Sequence, residues 1–261
     1  MLTPRLKTHI EGKALRRQKG APGRRWTKNL TVIGHRGAAG LVAENTLPSF
    51  LKAAELGCAA VELDVYAVDD EILVIHDDTL NRTTNGKGRV MSKSAKSLRT
   101  LDAGQTTAPG AQIPLLSEVF AALPARVMIN IELKGPATAR PVAQALRDWQ
   151  PANHVLVSSF DHDLLRVFRT EDDTTAVAPL FHKKSSDMLV IACELNACAV
   201  NLNSKIATKE RLSAIRSAGF GAAVYTVNSL RSARRLFRDG ATGVFTDRPD
   251  RVTFEQITEP T

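Results

Sequence analysis

"AAVELDVYAVDDEILVIHD", residues 59–77, decides the fold. It holds two β-rich apolar runs, "AAVELDV" (59–65) and "EILVIHD" (71–77), separated only by "YAVDD". A parallel crossover needs about ten or more residues, so two runs this close must form an antiparallel hairpin. Folding the hairpin about Asp69-Asp70 sets His76 beside Leu63, next to Glu62 and Asp64. With that arm set aside, eight strands remain: "TVIGH", "AAVELDV", "VMINIEL", "HVLVSS", "TAVAPL", "CAVNL", "AAVYTV" and "TGVFTD". A helical pattern lies between each strand and the next, and several of these patterns end in Gly, the usual residue just past a helix. Continuous apolar strands alternating with helices predict a parallel sheet covered on both faces. The count is that of an α/β protein of the (β/α)8 TIM-barrel type, with a small hairpin and a polar insertion after strand 2, over about 66–114. A doubly wound open sheet is the second reading.

A length of 261 residues suits one barrel domain, and no apolar run reaches the roughly 18 residues of a membrane span. The net charge of +8 suggests a nucleic-acid or membrane partner until it is located. Residues 1–30 carry nine basic side chains against Glu11 alone, and the rest of the chain is balanced. The basicity therefore belongs to a tail, residues 1–30, and the domain proper runs over 31–261. The tail is expected to be disordered, with weak contact to anionic surfaces as its second role. A neutral body with 5% aromatic residues argues against nucleic acid as a partner. Three cysteines without a CxxC pair point to a reducing compartment, hence the cytoplasm.

In a barrel the chemistry sits at the carboxyl ends of the strands. Those ends carry His35 and Arg36, Glu62 and Asp64, Glu132 and Lys134, Ser159 and Phe160, Asn201 and Asn203, Tyr225 and Asn228, and Asp247, with His76 brought in by the hairpin. Glu62 and Asp64, two apart on one strand, face the same side and meet Glu132. Three converging carboxylates repel, and a hard divalent cation relieves them; Mg²⁺ or Ca²⁺ suits oxygen ligands better than Zn²⁺. The alternative pairs each carboxylate with an Arg or Lys on the rim. His35 and His76 reach the site from separate segments and suit an acid–base pair. Arg36 and Lys134 add charge suited to phosphate. Glu44 and Asn45 belong either to the site's supporting layer or to the capping of the helix that follows Thr46. His9, His154, His162 and His182 have no such company. The segment 78–114 is polar and emerges beside the site, as a lid or substrate-recognition insertion would.

"HRGAAGLVAENT", "ELDV", "HDDTLNRTTNGKG", "IELK", "SSF", "YTVN" and "TDRP" occur in this order from His35 to Pro249. The ordered set resembles the glycerophosphodiester phosphodiesterase family, in particular its compact bacterial cytosolic members. The resemblance implies hydrolysis of small-molecule glycerophosphodiesters to an alcohol and sn-glycerol 3-phosphate with a divalent metal. It implies metal ligation by Glu62, Asp64 and Glu132, and acid–base catalysis by His35 and His76. Arg36 then contacts phosphate, Lys134 stabilises charge, and Phe160 and Tyr225 line the substrate pocket. The family's usual "PENT" is "AENT" here, with Ala43 in place of Pro. Two other activities compete: a lysophospholipase D-like reaction on lipid phosphodiesters, and a non-catalytic barrel that binds phosphorylated ligands. Neither the head group, the oligomeric state nor the division of labour between the histidines follows from the sequence.

Overall fold

The computed structural model describes residues 25–28 and 30–259. Residues 1–24, most of the tail and with it the expected anionic contact, lie outside the described residues.

Nine strands form one sheet: β1 (Thr31–Gly34), β2 (Ala60–Val68), β3 (Glu71–Val74), β4 (Met128–Leu133), β5 (Val155–Ser159), β6 (Ala176–Phe181), β7 (Ala199–Asn203), β8 (Gly221–Tyr225) and β9 (Gly243–Thr246). The order is β1-β9-β8-β7-β6-β5-β4-β2-β3, and a further β1–β2 pairing closes the ring. Every pairing is parallel except β2 with β3. The result is a closed eight-stranded α/β barrel with β3 appended as a hairpin arm. Val65 opposes Val74 in that hairpin, and the Ile75 amide donates to the Asp64 carbonyl at 2.9 Å, which carries the register toward Leu63 and His76.

Strand alternation sorts the side chains into two cores. Val61, Leu63 and Val65 of β2, like Ile129, Ile131 and Leu133 of β4, pack outward beneath the helices in the main hydrophobic cluster. Ala60, Met128, Leu156, Ala199, Ala223 and Phe245 fill the lower barrel interior. Near the top of the same interior, apolar residues give way to Glu62, Asp64 and Glu132. The helical patterns between strands form Leu47–Glu55, Leu116–Ala122, Ala139–Trp149, His162–Glu171, Met188–Glu194, Lys209–Ser217 and Leu230–Arg238.

The structure departs from the sequence reading at both edges of the domain and in the insertion. The last part of the expected tail includes a short helix, Arg25–Lys28, and Trp26 is buried in the barrel's lower interior with Ile33, Ala199 and Phe245. Small residues make the room: a Cβ on Gly221 would stand 3.0 Å from the Ala199 Cβ. The segment 78–114 lacks periodicity in the sequence, yet it folds over a small core of its own. Leu80, Val90, Leu98 and Ile113 pack there against Tyr66 and Leu73 of the hairpin. Its regular elements are a 3₁₀ turn, Val90–Ser92, and one helical turn, Ala95–Leu98. These elements, like the final helix Phe254–Thr258, are too short for an amphipathic period to show.

Trp26→Ala should cost about 3 kcal/mol of unfolding free energy, since it empties an aromatic-sized volume from a buried site. Denaturant titration of wild type and variant measures this, and an unchanged midpoint would mean that the barrel floor does not depend on the indole.

Candidate active site

The turn after β1 is built by its backbone. Arg36 and Gly37 adopt left-handed conformations, with φ of 52° and 86°. A Cβ at Gly37 would lie 2.5 Å from Ser49 Oγ and 2.6 Å from the Ser49 carbonyl carbon, so only glycine fits. This turn aims the Arg36 amide at Glu62 Oε2, 2.9 Å away. Its guanidinium Nη1 donates to Glu44 Oε1 at 2.8 Å, while Nε stands 3.4 Å from Asp64 Oδ2.

The next turn decides between the two readings of Glu44. Thr46, not Glu44, caps helix Leu47–Glu55, its hydroxyl oxygen accepting from the Ser49 amide. Glu44 is left to the cations Arg36 and Arg82. Asn45, at φ 56°, donates through Nδ2 to Asp64 Oδ2 at 2.9 Å and accepts from the Asp64 amide at 3.3 Å. Ala43 uses the amide hydrogen that proline lacks, donating to Thr107 Oγ1 at 2.8 Å. A tether to the insertion thus stands where the family's proline would stiffen the loop.

Glu62, Asp64 and Glu132 are 2%, 1% and 8% exposed, and each offers an oxygen within 4.8 Å of the others. The register places Asp64 directly opposite Glu132. Arg36 and Lys134 are the cations in contact, with Lys134 Nζ 2.9 Å from Glu132 and 3.7 Å from Asp64. Two cations against three carboxylates leave the cluster short of positive charge. Burial pushes the Glu62 carboxyl well above its ordinary range, with further upward pressure from Asp64 and Glu132. Burial, then Asp64, raises Glu132 to about 7. An all-oxygen donor set left short of positive charge fits a hard divalent cation.

Each sequence-singled histidine leans on a carboxylate. His35 Nδ1 is 2.6 Å from Asp247 Oδ1. Asn228 holds Asp247 in turn, donating to Oδ2 at 2.7 Å and accepting the Asp247 amide at 2.8 Å. His76 Nδ1 is 2.6 Å from Asp77 Oδ1, and its Nε2 faces Lys134 Nζ at 3.2 Å. Burial, with the Arg36 and Lys134 charges, lowers the His76 pKa and keeps the imidazole neutral near pH 7. An ammonium facing Nε2 and a carboxylate facing Nδ1 select the tautomer that carries its proton on Nδ1.

Phe160 and Tyr225 meet edge to face at 5.7 Å, and Lys134 Nζ lies 5.9 Å from the Phe160 centroid. All eleven residues singled out from the sequence therefore lie at one end of the barrel. Of the remaining histidines, His162 bonds the Leu180 carbonyl at 3.0 Å, and His9 lies outside the described residues. The reading passed over Asp77 and Arg82, and gave Asn228 and Asp247, which it placed at strand ends, no role. Their signal was present: Asp77 and Arg82 share a motif with His76, Asn228 shares one with Tyr225, and Asp247 lies in "TDRP" at the end of the last strand.

The carboxyl end of the barrel joins three buried carboxylates to two carboxylate-backed imidazoles and two cations, the groups that metal-assisted hydrolysis of a phosphoester would use. Residues 35–251 match the profile of the glycerophosphoryl diester phosphodiesterase family. A glycerophosphodiester phosphodiesterase of Bacillus altitudinis is 34% identical over 234 residues, 85% of this chain and 96% of that protein. One from Caldanaerobacter subterraneus is 30% identical over 84% of this chain and 94% of its own. Among solved structures, an Oleispira antarctica phosphodiesterase in complex with the product sn-glycerol-3-phosphate superposes with a TM-score of 0.81. Its identity is 26%, covering 87% of this chain and 96% of that one. The chain belongs to the glycerophosphoryl diester phosphodiesterase family and is an enzyme of the phosphoric diester hydrolase type.

The carboxylate cluster generates a pH prediction. Without a cation, a raised Glu132 means that the folded state holds a proton which the unfolded state releases. That stability is fully present below the ordinary value of 4.5 and is lost as pH rises through about 7. In EDTA the melting temperature should therefore fall across that window. Excess Mg²⁺ should flatten the slope, and Glu132→Gln should weaken it. A profile identical with and without metal would contradict cation binding here.

Proposed function

We propose that this enzyme hydrolyses small glycerophosphodiesters, such as glycerophosphocholine or glycerophosphoethanolamine, to an alcohol and sn-glycerol 3-phosphate. The observation that carries this reading is the pair of carboxylate-backed imidazoles facing the buried cluster of Glu62, Asp64 and Glu132. Those three carboxylates would hold a divalent cation, Mg²⁺ or Ca²⁺. When bound, the cation supplies positive charge to the phosphoryl oxygens.

The roles of the side chains follow from their partners. Arg36, fixed by Glu44, and Lys134 face the anionic phosphate and stabilise the charge that builds on it. His76 is neutral with its lone pair on Nε2, which suits it to take the proton of the attacking hydroxyl. As the new P–O bond forms, the bond to the head-group oxygen breaks, and His35 protonates the departing alkoxide. The hydroxyl belongs either to water or to the neighbouring glycerol carbon; in the second case a cyclic phosphate precedes hydrolysis. Asp247 and Asp77 hold the two rings, while Phe160 and Tyr225 wall the organic part of the substrate. Glu44 and Asn45 act behind the first layer, on Arg36 and Asp64.

We place the enzyme in the cytoplasm on the chemistry of Cys58, Cys193 and Cys198, which are buried thiols. No helix among the described residues is long and apolar enough to cross a membrane.

Release of sn-glycerol 3-phosphate from glycerophosphocholine tests the proposal. EDTA should abolish it and Mg²⁺ or Ca²⁺ restore it. His35→Ala and His76→Ala should each lower kcat by at least about 10²-fold, the usual worth of a general acid or base. Turnover of lysophosphatidylcholine but not glycerophosphocholine would replace this reading with the lipid-substrate one. Binding without turnover of either would leave a ligand-binding barrel.

A further inference from the structure

Arg82 lies in the polar insertion, and its side chain reaches back to the barrel. It makes four hydrogen bonds, all to two carboxylates. Nε and Nη2 donate to Asp77 Oδ2 and Oδ1 at 2.7 and 2.8 Å. Nη1 and Nη2 donate to Glu44 Oε2 and Oε1 at 2.6 and 2.8 Å. The two oxygens that share Nη2 are the ones that matter. Asp77 Oδ1 is the atom beside His76 Nδ1, and Glu44 Oε1 is the atom that accepts from Arg36. A single nitrogen thus closes an unbroken chain: Arg36 Nη1, Glu44 Oε1, Arg82 Nη2, Asp77 Oδ1, His76 Nδ1.

We propose that Arg82 is a positioning residue that locks the phosphate-facing arginine and the acid–base histidine into one rigid unit. The inference rests on the hydrolytic reading above. Without Arg82, Glu44 and Asp77 would face each other as like charges, Glu44 left with Arg36 and Asp77 with His76. With it, both carboxylates are gripped bidentately, which fixes direction as well as distance. Their charge state agrees: Glu44, although burial works the other way, is held below its usual range by Arg82 and Arg36, and Arg82 likewise leads the causes that lower Asp77.

The anchoring of residue 82 agrees as well. Leu80 and Thr83 on either side are buried, and the Arg82 carbonyl accepts from Gln105 Nε2 at 2.9 Å. The side chain itself is 49% exposed. The side chain lies at the surface and outside the hydrophobic clusters, so Arg82→Ala should keep the fold. The insertion then serves catalysis directly, as the element that carries this guanidinium to the site.

The test compares wild type, Arg82→Ala and Arg82→Lys, saturated with Mg²⁺, on glycerophosphocholine. Arg82→Ala should lower kcat roughly 10–100-fold, the usual cost of removing a group that orients a site residue. KM and melting temperature should change little. Lysine, a point charge that cannot grip two carboxylates, should recover only a small part of the loss. The second readout needs no turnover: the low-field Nδ1 proton of His76, assigned by its absence in His76→Asn, should be sharp in wild type and broadened or lost in Arg82→Ala. An unchanged kcat, or a raised KM at unchanged kcat, would overturn the proposal; the latter would make Arg82 a direct substrate contact. If wild type turns nothing over, the hydrolytic reading fails by itself. The His76 proton then decides the Arg82 coupling alone, and an unchanged signal in Arg82→Ala overturns it.

Discussion

Three carboxylates buried within 4.8 Å of one another are the constraint on which the rest of this site depends. Charge of one sign in a low-dielectric interior is costly, and it persists only where its surroundings are arranged to meet it. Here they are. The Arg36 amide and the Asn45 carboxamide each bond one member, and Lys134 approaches two. The left-handed turns at Arg36, Gly37 and Asn45 exist to aim those groups. Backbone strain at the end of β1 is thus matched to charge at the ends of β2 and β4.

A second layer repeats the same logic one step further out. Asp77 and Asp247 each hold an imidazole, Asn228 holds Asp247, and Arg82 holds both Asp77 and Glu44. The barrel supplies rigid strand ends, whereas most of the outer partners lie on loops. The insertion reconciles the two by having its own small core around Leu80 and Leu98, so that a long loop can position a side chain as firmly as a strand does. The Ala43–Thr107 hydrogen bond joins that insertion to the turn after β1, in place of the proline that the family pattern would put there.

Much of this was legible in the chain. Eight apolar strands separated by seven helical patterns identified the barrel, because each strand must be apolar where it meets the helices. The five-residue spacing after "AAVELDV" identified the hairpin, because nothing else fits it. His35, His76, Glu62, Asp64 and Glu132 stood out as charged or titratable groups at strand ends, where a packed core has no place for them. Trp26 was not legible: it follows a run of charge, and only the space left by Ala199, Gly221 and Ala223 makes it a core residue. The short elements of the insertion were not legible either, since one turn has no period.

The sequence by itself determined the architecture and the family, and it singled out the residues that the barrel gathers at one end, since periodicity and motif order are local properties of the chain. Only the tertiary structure decided which carboxylate backs which histidine, that Thr46 rather than Glu44 caps the helix, and that Arg82 bridges Glu44 to Asp77. Those pairings join residues up to 212 positions apart, as His35 and Asp247 are, and their specificity is one of distance and direction. No one-dimensional pattern records that, because it is created when the ring of strands closes.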